Sequence, residues 1–196
     1  DVYKRQLPYT AIATLLREIS VKYPSLELTL LNGTATEVAD YVEQERASVA
    51  FHFDRGPARA CFELRRIGSV PQGVFVAVDH PLADGRTVRR KDLVGHRQLL
   101  MHADDVHEVA YSPRVWRSDS FYSTAEMVAD KLGWAVLPVN IAHYEGYRQA
   151  LKELPCPALA LPRLSVRMLW LQGRPLGATA RYVQQRFAEL LRDSTA

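Results

Sequence analysis

Hydrophobic and polar residues switch between helical and strand periods along the first part of the chain. In LPYTAIATLLREISVKYP, apolar residues recur at every third or fourth position, which predicts a helix that Pro24 ends. Residues 26–31, LELTLL, alternate apolar and polar side chains and predict a strand. Residues 48–53, SVAFHF, predict another strand, and residues 2–3 are predicted to form a short strand at the start.

A capping box predicts where the next helix begins. Thr34 is followed three positions later by Glu37, and such a pair satisfies two backbone N–H groups that a helix start leaves unpaired. Val38, Tyr41 and Val42 then form the predicted buried stripe. The resulting order β-α-β-α-β implies a parallel sheet with right-handed crossovers.

A second set of elements follows a Pro-Gln-Gly joint at residues 71–73. The runs GVFVAV, QLLMH and WAVLP predict three buried strands. Before the last of them, Ser123 and Glu126 predict a capping box, and Gly133 is predicted to be the left-handed cap that ends the helix. The chain returns as the strand LPRLSVRMLWLQ and ends in a helix over residues 178–192.

These elements predict two α/β lobes joined by two crossover strands. Lobe I is discontinuous, residues 1–70 and 165–196, and lobe II is the insert, residues 71–164. Two crossings leave a cleft between the lobes, and ligands of open α/β sheets bind beyond the carboxyl ends of strands. We therefore expect the ligand in that cleft.

Composition excludes several classes of protein. The 196 residues are 47% hydrophobic and 24% charged, as in ordinary globular domains. No apolar run approaches the roughly 20 residues that span a bilayer, and no signal segment opens the chain. We therefore expect a cytoplasmic protein without a membrane partner. The sequence begins at Asp1 without methionine, which we interpret as part of a longer chain.

The charge distribution and the two cysteines indicate neither a nucleic-acid-binding surface nor a disulfide framework. The net charge is +3, and the densest basic run, residues 89–91, adjoins a polar turn, so a solvated surface is favoured over a nucleic-acid face. Cys61 and Cys156 are far apart in sequence and predict two reduced thiols.

Three stretches resemble the effector-binding domain of LysR-type transcriptional regulators. They are YPSLELTLLNGTATEVADYV, DHPLADGRTVRRKDL and VADKLGWAVLP, in the family's order over nearly the whole chain. The resemblance implies two Rossmann-like lobes of the periplasmic-binding-protein type, a small-molecule effector, no cofactor and no catalysis. It implies DNA binding through an N-terminal winged helix-turn-helix outside this sequence.

The resemblance also implies a homodimer or homotetramer. The family pairs effector domains side by side, which maps onto Ala11–Tyr23 and Leu26–Leu31 of one chain against Thr124–Leu132 of its partner. Departures occur where the family usually has Gly and Asp before the third strand and this sequence has Glu45 and Ser48. Lys131 also stands where the family commonly has Gly.

By this resemblance, the effector contacts strand ends and helix N-termini of both lobes. Hydroxyls, cationic donors and aromatic walls at these positions predict a small carboxylate as the ligand, and an aromatic one would also suit them. The alternative that the basic residues are solvated and the aromatics belong to the core stays open. The predicted residues are Tyr3, Lys4, Arg5, Thr34, Thr36, His52, His102, Ser120, Phe121 and Tyr122.

The sequence gives little support for a metal site or for an enzyme active site. Residues 102–108, HADDVHE, offer nitrogen and oxygen ligands without a second cluster, so we expect a solvated loop and no metal. The sequence has no G-x-S-x-G elbow, H-E-x-x-H pair or glycine-rich phosphate loop. Two alternatives remain: a free-standing solute-binding protein of the same fold, and a small bilobed enzyme with His52 or His102 as its base.

Overall fold

A computed structural model describes residues 9–54, 59–102 and 108–193. The chain divides into two compact units, residues 1–70 with 164–196 and residues 71–163, which we call lobe I and lobe II. Each lobe is an α/β unit with its own sheet. Among the described helices, none is long and apolar enough to cross a membrane.

Lobe I contains a three-stranded sheet in the order β1-β8-β2. Both pairings are antiparallel, so the predicted parallel sheet is wrong for the described strands of this lobe. Its elements are α1 (Tyr9–Lys22), α2 (Ala35–Glu43), β1 (Ala50–Phe53), β2 (Phe62–Val70), β8 (Leu164–Leu171) and α6 (Ala178–Asp193). The two helices α1 and α6 are joined by an ion pair in which Arg186 donates to Glu18 at 2.7 and 2.8 Å, and this lowers the pKa of the Glu18 carboxyl.

Lobe II contains a five-stranded sheet in the order β5-β4-β6-β3-β7. Strand β4 is parallel to β5 and β6, whereas β3 is antiparallel to β6 and β7. Its elements are β3 (Gln72–Ala77), α3 (Arg90–Val94), β4 (Gln98–Met101), β5 (Val115–Ser118), α4 (Phe121–Ala129), β6 (Trp134–Pro138), α5 (Val139–Ala142) and β7 (Leu151–Leu154). The core is centred on Trp134, whose indole N–H donates to the Leu93 carbonyl oxygen at 3.1 Å.

The predicted strand at residues 26–31 is wrong. The structure assigns no strand there, and Leu26, Leu28 and Leu30 are 39%, 52% and 49% exposed. Alternation of apolar residues predicts which side chains share a face, but a strand also needs a hydrogen-bonded neighbour. Within the described part of lobe I, the three sheet strands pair with one another and not with this segment.

Two details at the end of α4 also differ from prediction. The left-handed residue is Lys131, with φ of 64°, and not Gly133. Gly133 is needed for a different reason, because a Cβ there would collide with the backbone of Arg97. Glu45 is the other described non-glycine residue with positive φ, at 58°. Both positions that depart from the family's glycine therefore keep the backbone conformation that glycine favours.

The side chains of these two departures form exposed ion pairs. Glu45 Oε1 accepts from Arg174 Nη2 at 2.6 Å, and Lys131 Nζ lies 2.5 Å from Asp79 Oδ2. Exposed pairs of this kind contribute little to stability, because water and salt screen the two charges.

Candidate functional site

The ten predicted effector-binding residues fall into three groups. Tyr3, Lys4 and Arg5 lie outside the described residues. The other seven belong to two separate lobes. Lobe I holds Thr34, Thr36 and His52, and lobe II holds His102, Ser120, Phe121 and Tyr122.

The N-terminus of α2 is closed by the predicted capping box, which the structure confirms. Thr34 is the N-cap, and its hydroxyl oxygen accepts from the Glu37 backbone N–H at 3.3 Å. In return, the Thr34 backbone N–H donates to Glu37 Oε2 at 2.7 Å. Gly33 leaves room for this fold-back, because a Cβ there would lie 2.7 Å from the Glu37 Cβ. Thr34 and Thr36 are both half-buried.

His52 lies on β1, one residue before the strand ends. Its Nδ1 is 2.8 Å from the Phe53 carbonyl oxygen, so the proton is on Nδ1 and the ring orientation is fixed. Ala50, two residues earlier on the same face, packs in a core cluster with Val38 and Val42 of α2. His52 therefore stands where the apolar face under α2 gives way to polar groups.

An ion pair next to His52 was missed in the sequence. Arg167 on β8 is the direct cross-strand neighbour of His52, and its Nη2 lies 2.5 Å from Asp54 Oδ2. Each of these two side chains is 26% exposed. The available signal was a charged residue inside the apolar run of β8, but sequence alone does not reveal its neighbours across the sheet.

The N-terminus of α4 begins three residues earlier than predicted. Ser120 is the N-cap, and its hydroxyl oxygen accepts from the Ser123 backbone N–H at 3.4 Å, so the predicted Ser123–Glu126 capping box is wrong. The start is fixed further by Thr124 Oγ1, which donates to the Ser120 carbonyl oxygen at 2.9 Å. Ser120 is 4% exposed, and the first turn contains no acidic residue.

Phe121 and Tyr122 are buried behind this cap. Phe121 is 0% exposed and Tyr122 4%, so both contribute to the core of lobe II. The Tyr122 ring lies 6.4 Å from the Tyr144 ring and 6.3 Å from the Tyr147 ring. Burial and a hydrogen bond to Glu126 raise the pKa of Tyr147, which keeps the Tyr147 hydroxyl protonated.

His102 follows β4 and is exposed. Its backbone N–H donates to the Ser118 carbonyl oxygen at 2.7 Å, which continues the β4–β5 pairing by one residue. The rest of the acidic loop, residues 103–107, lies outside the described residues. Within the ranges that the structure describes, no three His, Cys, Asp or Glu side chains are grouped so as to hold a metal ion.

A cavity of about 250 Å³ lies elsewhere in lobe I, at the amino end of β1. It involves the C-terminal part of α2, the turn that leads into β1 and the segment before α6, and Glu45 and Arg174 line it. None of the predicted effector-binding residues belongs to it. The opposite, carboxyl end of β1 carries the polar groups described above.

These two groups of residues share a chemistry suited to anions. Each contains a helix start with hydroxyl-capped N–H groups, where the helix dipole favours negative charge. Lobe I adds the guanidinium of Arg167 and the imidazole of His52. The described polar groups in both lobes could bind a small oxyanion without a metal.

The two α/β lobes define a bilobed ligand-binding class of protein, and comparison with known proteins gives the family. A sequence model of the LysR substrate binding domain matches residues 7–196. The chain belongs to this family. This confirms the resemblance and the fold class that the sequence predicted.

Individual relatives support the same assignment. The chain is 26% identical over 171 residues to the HTH-type transcriptional regulator AceR of Acinetobacter baumannii, which covers 83% of this chain and 56% of AceR. The chain therefore spans little more than half the length of this curated relative.

Solved structures share the fold at low identity. HinK, a LysR family transcriptional regulator from Pseudomonas aeruginosa, is 19% identical with a TM-score of 0.72, over 97% of this chain and 72% of HinK. The regulatory domain of Synechocystis PCC6803 CcmR in complex with 2-PG is 19% identical with a TM-score of 0.69, over 95% of this chain and 92% of that domain.

Proposed function

We propose that this chain is the effector-sensing and oligomerisation part of a LysR-type transcriptional regulator, and that its effector is a small organic acid. The observation that carries the proposal is the family match over residues 7–196. A DNA-binding helix-turn-helix in the remainder of the full-length protein would read out the ligand. The protein acts in the cytoplasm, without a cofactor and without catalysing a reaction.

The effector class rests on the polar groups of both lobes. Uncharged hydroxyls cap α2 and α4, and Arg167 lies beside His52 in lobe I. Charge-assisted hydrogen bonds from guanidinium groups and helix N-termini are the usual means of holding a carboxylate. Contact of one ligand with both groups of residues remains a prediction.

An effector can regulate the protein only if it binds one of two conformational states more tightly than the other. A ligand that binds both states equally shifts neither population. We propose that the effector favours one arrangement of the oligomer over another, which would then change DNA binding.

A thermal-shift screen against small organic acids tests the effector proposal. An acid at about 100 times its Kd should stabilise the chain by about 2.7 kcal/mol. Thr34→Ala, His52→Ala and Ser120→Ala should each reduce the shift. Thr179→Ala, in the first turn of α6 in lobe I, is the matched control and should leave it unchanged. Equal binding by all four variants would refute the predicted site residues.

The oligomer proposal rests on exposed apolar side chains at one end of α1 and after it. Val21 is 80% exposed, and Leu26, Leu28 and Leu30 are 39%, 52% and 49% exposed. Such a cluster is typical of a protein–protein interface. Sedimentation of Leu28→Lys should show dissociation, whereas Val109→Lys, at a 59% exposed valine in lobe II, should sediment as the unmodified chain does. Identical sedimentation of both variants would contradict this interface.

A further inference from the structure

One face of the lobe I sheet changes from apolar to basic within a single cross-strand step. Ala50 on β1 pairs with Leu169 on β8, and both pack in the apolar cluster beneath α2. The next pair on the same face is His52 with Arg167. Arg167 also pairs with Arg66 on β2, so one imidazole and two guanidiniums form a continuous row across the three strands.

The start of α2 lies toward this row. Val38 and Val42 of α2 contact the apolar cluster that contains Ala50, at the amino end of β1. A short turn connects the end of α2 to the start of β1, so the helix runs back along the strand. Its N-terminus, capped by Thr34, therefore points toward the carboxyl end of β1, where the basic row lies.

One carboxylate of the protein already binds this row. Asp54 Oδ2 lies 2.5 Å from Arg167 Nη2, and the Asp54 backbone N–H donates to the Ser165 carbonyl oxygen at 2.7 Å. This backbone bond holds Asp54 on the same face as Arg167, beyond His52. The Asp54 carboxylate occupies the position that a ligand carboxylate would take on the guanidinium.

The charge balance favours a further anion. Arg66 and Arg167 are direct neighbours in the register, and like charges directly opposite each other are unfavourable. The row therefore places two guanidiniums side by side, with the Asp54 carboxylate on Arg167. Arg66 is exposed and Arg167 is half-buried, so an incoming carboxylate would meet both guanidiniums at a partly desolvated site.

We infer that Arg167 is the residue of lobe I that binds the carboxylate of the effector, and that Asp54 is its internal competitor. An entering carboxylate replaces Asp54 on the guanidinium, whose planar N–H groups bind carboxylates in pairs. Asp54 thereby sets the affinity, since every ligand must displace it. This inference rests on the proposed function, because it assigns the anion-binding group within that site.

Calorimetric titration with acetate, benzoate and succinate tests the inference. Asp54→Asn removes the competitor without changing the shape of the side chain, and should bind at least one of these acids about tenfold more tightly than the unmodified chain. Arg167→Gln should weaken binding at least tenfold. Arg167→Lys retains the charge without the planar group, and should bind with intermediate affinity.

The Glu45–Arg174 pair supplies matched controls within the same lobe. Its N–O distance is 2.6 Å, close to that of Asp54–Arg167, but it lies at the amino end of β1. Glu45→Gln and Arg174→Gln should leave all three affinities unchanged. Circular dichroism of each variant checks that the fold is retained.

The outcomes separate this inference from the proposed function. Unchanged affinity in both Asp54→Asn and Arg167→Gln would overturn the inference, even if the unmodified chain binds an acid. If only Asp54→Asn bound an acid, the result would support the inference that Asp54 competes with the ligand. It would also show that these three acids are not effectors of the unmodified protein. If no variant binds any of the three acids, the inference fails, whereas the sensing function fails only if the wider screen finds no ligand.

Discussion

The N-termini of α2 in lobe I and α4 in lobe II have the same capping geometry but are constructed differently. In α2 the cap is half-buried Thr34, and an acidic residue, Glu37, completes a capping box. In α4 the cap is Ser120, which is 4% exposed, and the third helical residue is Ser123. The first helix start is therefore satisfied in part by its own carboxylate, whereas the first turn of α4 contains no acidic residue.

The difference extends to what lies behind each cap. The first helical residue is Ala35 in α2 and Phe121 in α4. Ala35 is 8% exposed and Phe121 is 0% exposed, so the larger side chain fixes α4 by packing. Local hydrogen bonds therefore define where α2 begins, whereas burial of aromatic side chains defines where α4 begins.

Truncation of Phe121 should have the largest effect. Phe121→Ala removes a fully buried ring and should lower the free energy of unfolding by about 3–5 kcal/mol, through lost burial and the cavity that remains. Denaturant unfolding measures the loss. Phe121→Leu, which retains most of the volume, should cost clearly less. A loss below about 1 kcal/mol in Phe121→Ala would show that packing does not define the start of α4.

Removal of the two cap hydroxyls should have intermediate and unequal effects. Ser120→Ala should cost about 1–2 kcal/mol, because the cap residue is itself buried, and Thr34→Ala, at a half-buried cap, about 1 kcal/mol. Ser20→Ala, at an exposed hydroxyl that donates to the Arg17 carbonyl oxygen at 2.8 Å, is the control and should change stability by less than about 0.5 kcal/mol. If Thr34→Ala lowered the free energy of unfolding more than Ser120→Ala does, the cap of α2 would contribute more to stability than the cap of α4, contrary to this prediction.

Exchange of the third helical residues should have the smallest effect on stability. Ser123→Glu gives α4 the capping box it lacks and should stabilise by about 0.5 kcal/mol, while Glu37→Ser should destabilise α2 by a similar amount. Thermal unfolding measures both. Ser123→Gln, which can also cap but carries no charge, is the matched control for the dipole contribution.

The same exchange should change anion binding in opposite directions. A carboxylate at residue 123 competes with an anionic ligand at the start of α4, so Ser123→Glu should weaken binding of any acid found by the screen. Glu37→Ser removes the carboxylate at the start of α2 and should therefore strengthen binding of the acid there. Equal affinities in both variants would show that neither helix start contacts the ligand.

Short sequence motifs predicted the structural features that depend only on residues within one helical turn, such as the cap of α2. The Thr34–Glu37 capping box is confirmed because its two hydrogen bonds join residues three positions apart. The start of α4 was predicted wrongly because Ser120 and Ser123 are both acceptable caps in sequence. Only the burial of Phe121 and Tyr122 selects Ser120.

Contacts between distant segments were not predictable from the sequence. Arg167 and Asp54 are joined by the antiparallel register of β1 and β8, which hydrophobic alternation does not specify. At Leu26–Leu31 the sequence predicted a strand that the structure lacks. The segment alternates as a strand does, but no described strand pairs with it.

The two α/β lobes, the cap of α2 and the family could be predicted from the chain alone, since they depend on periodicity and on short motifs in order. Tertiary structure decided which serine caps α4, that Phe121 and Tyr122 are buried, and that Arg167 meets Asp54 beside His52. The physical reason is that burial and strand register depend on partners far away in the chain, whereas capping depends on partners within four residues.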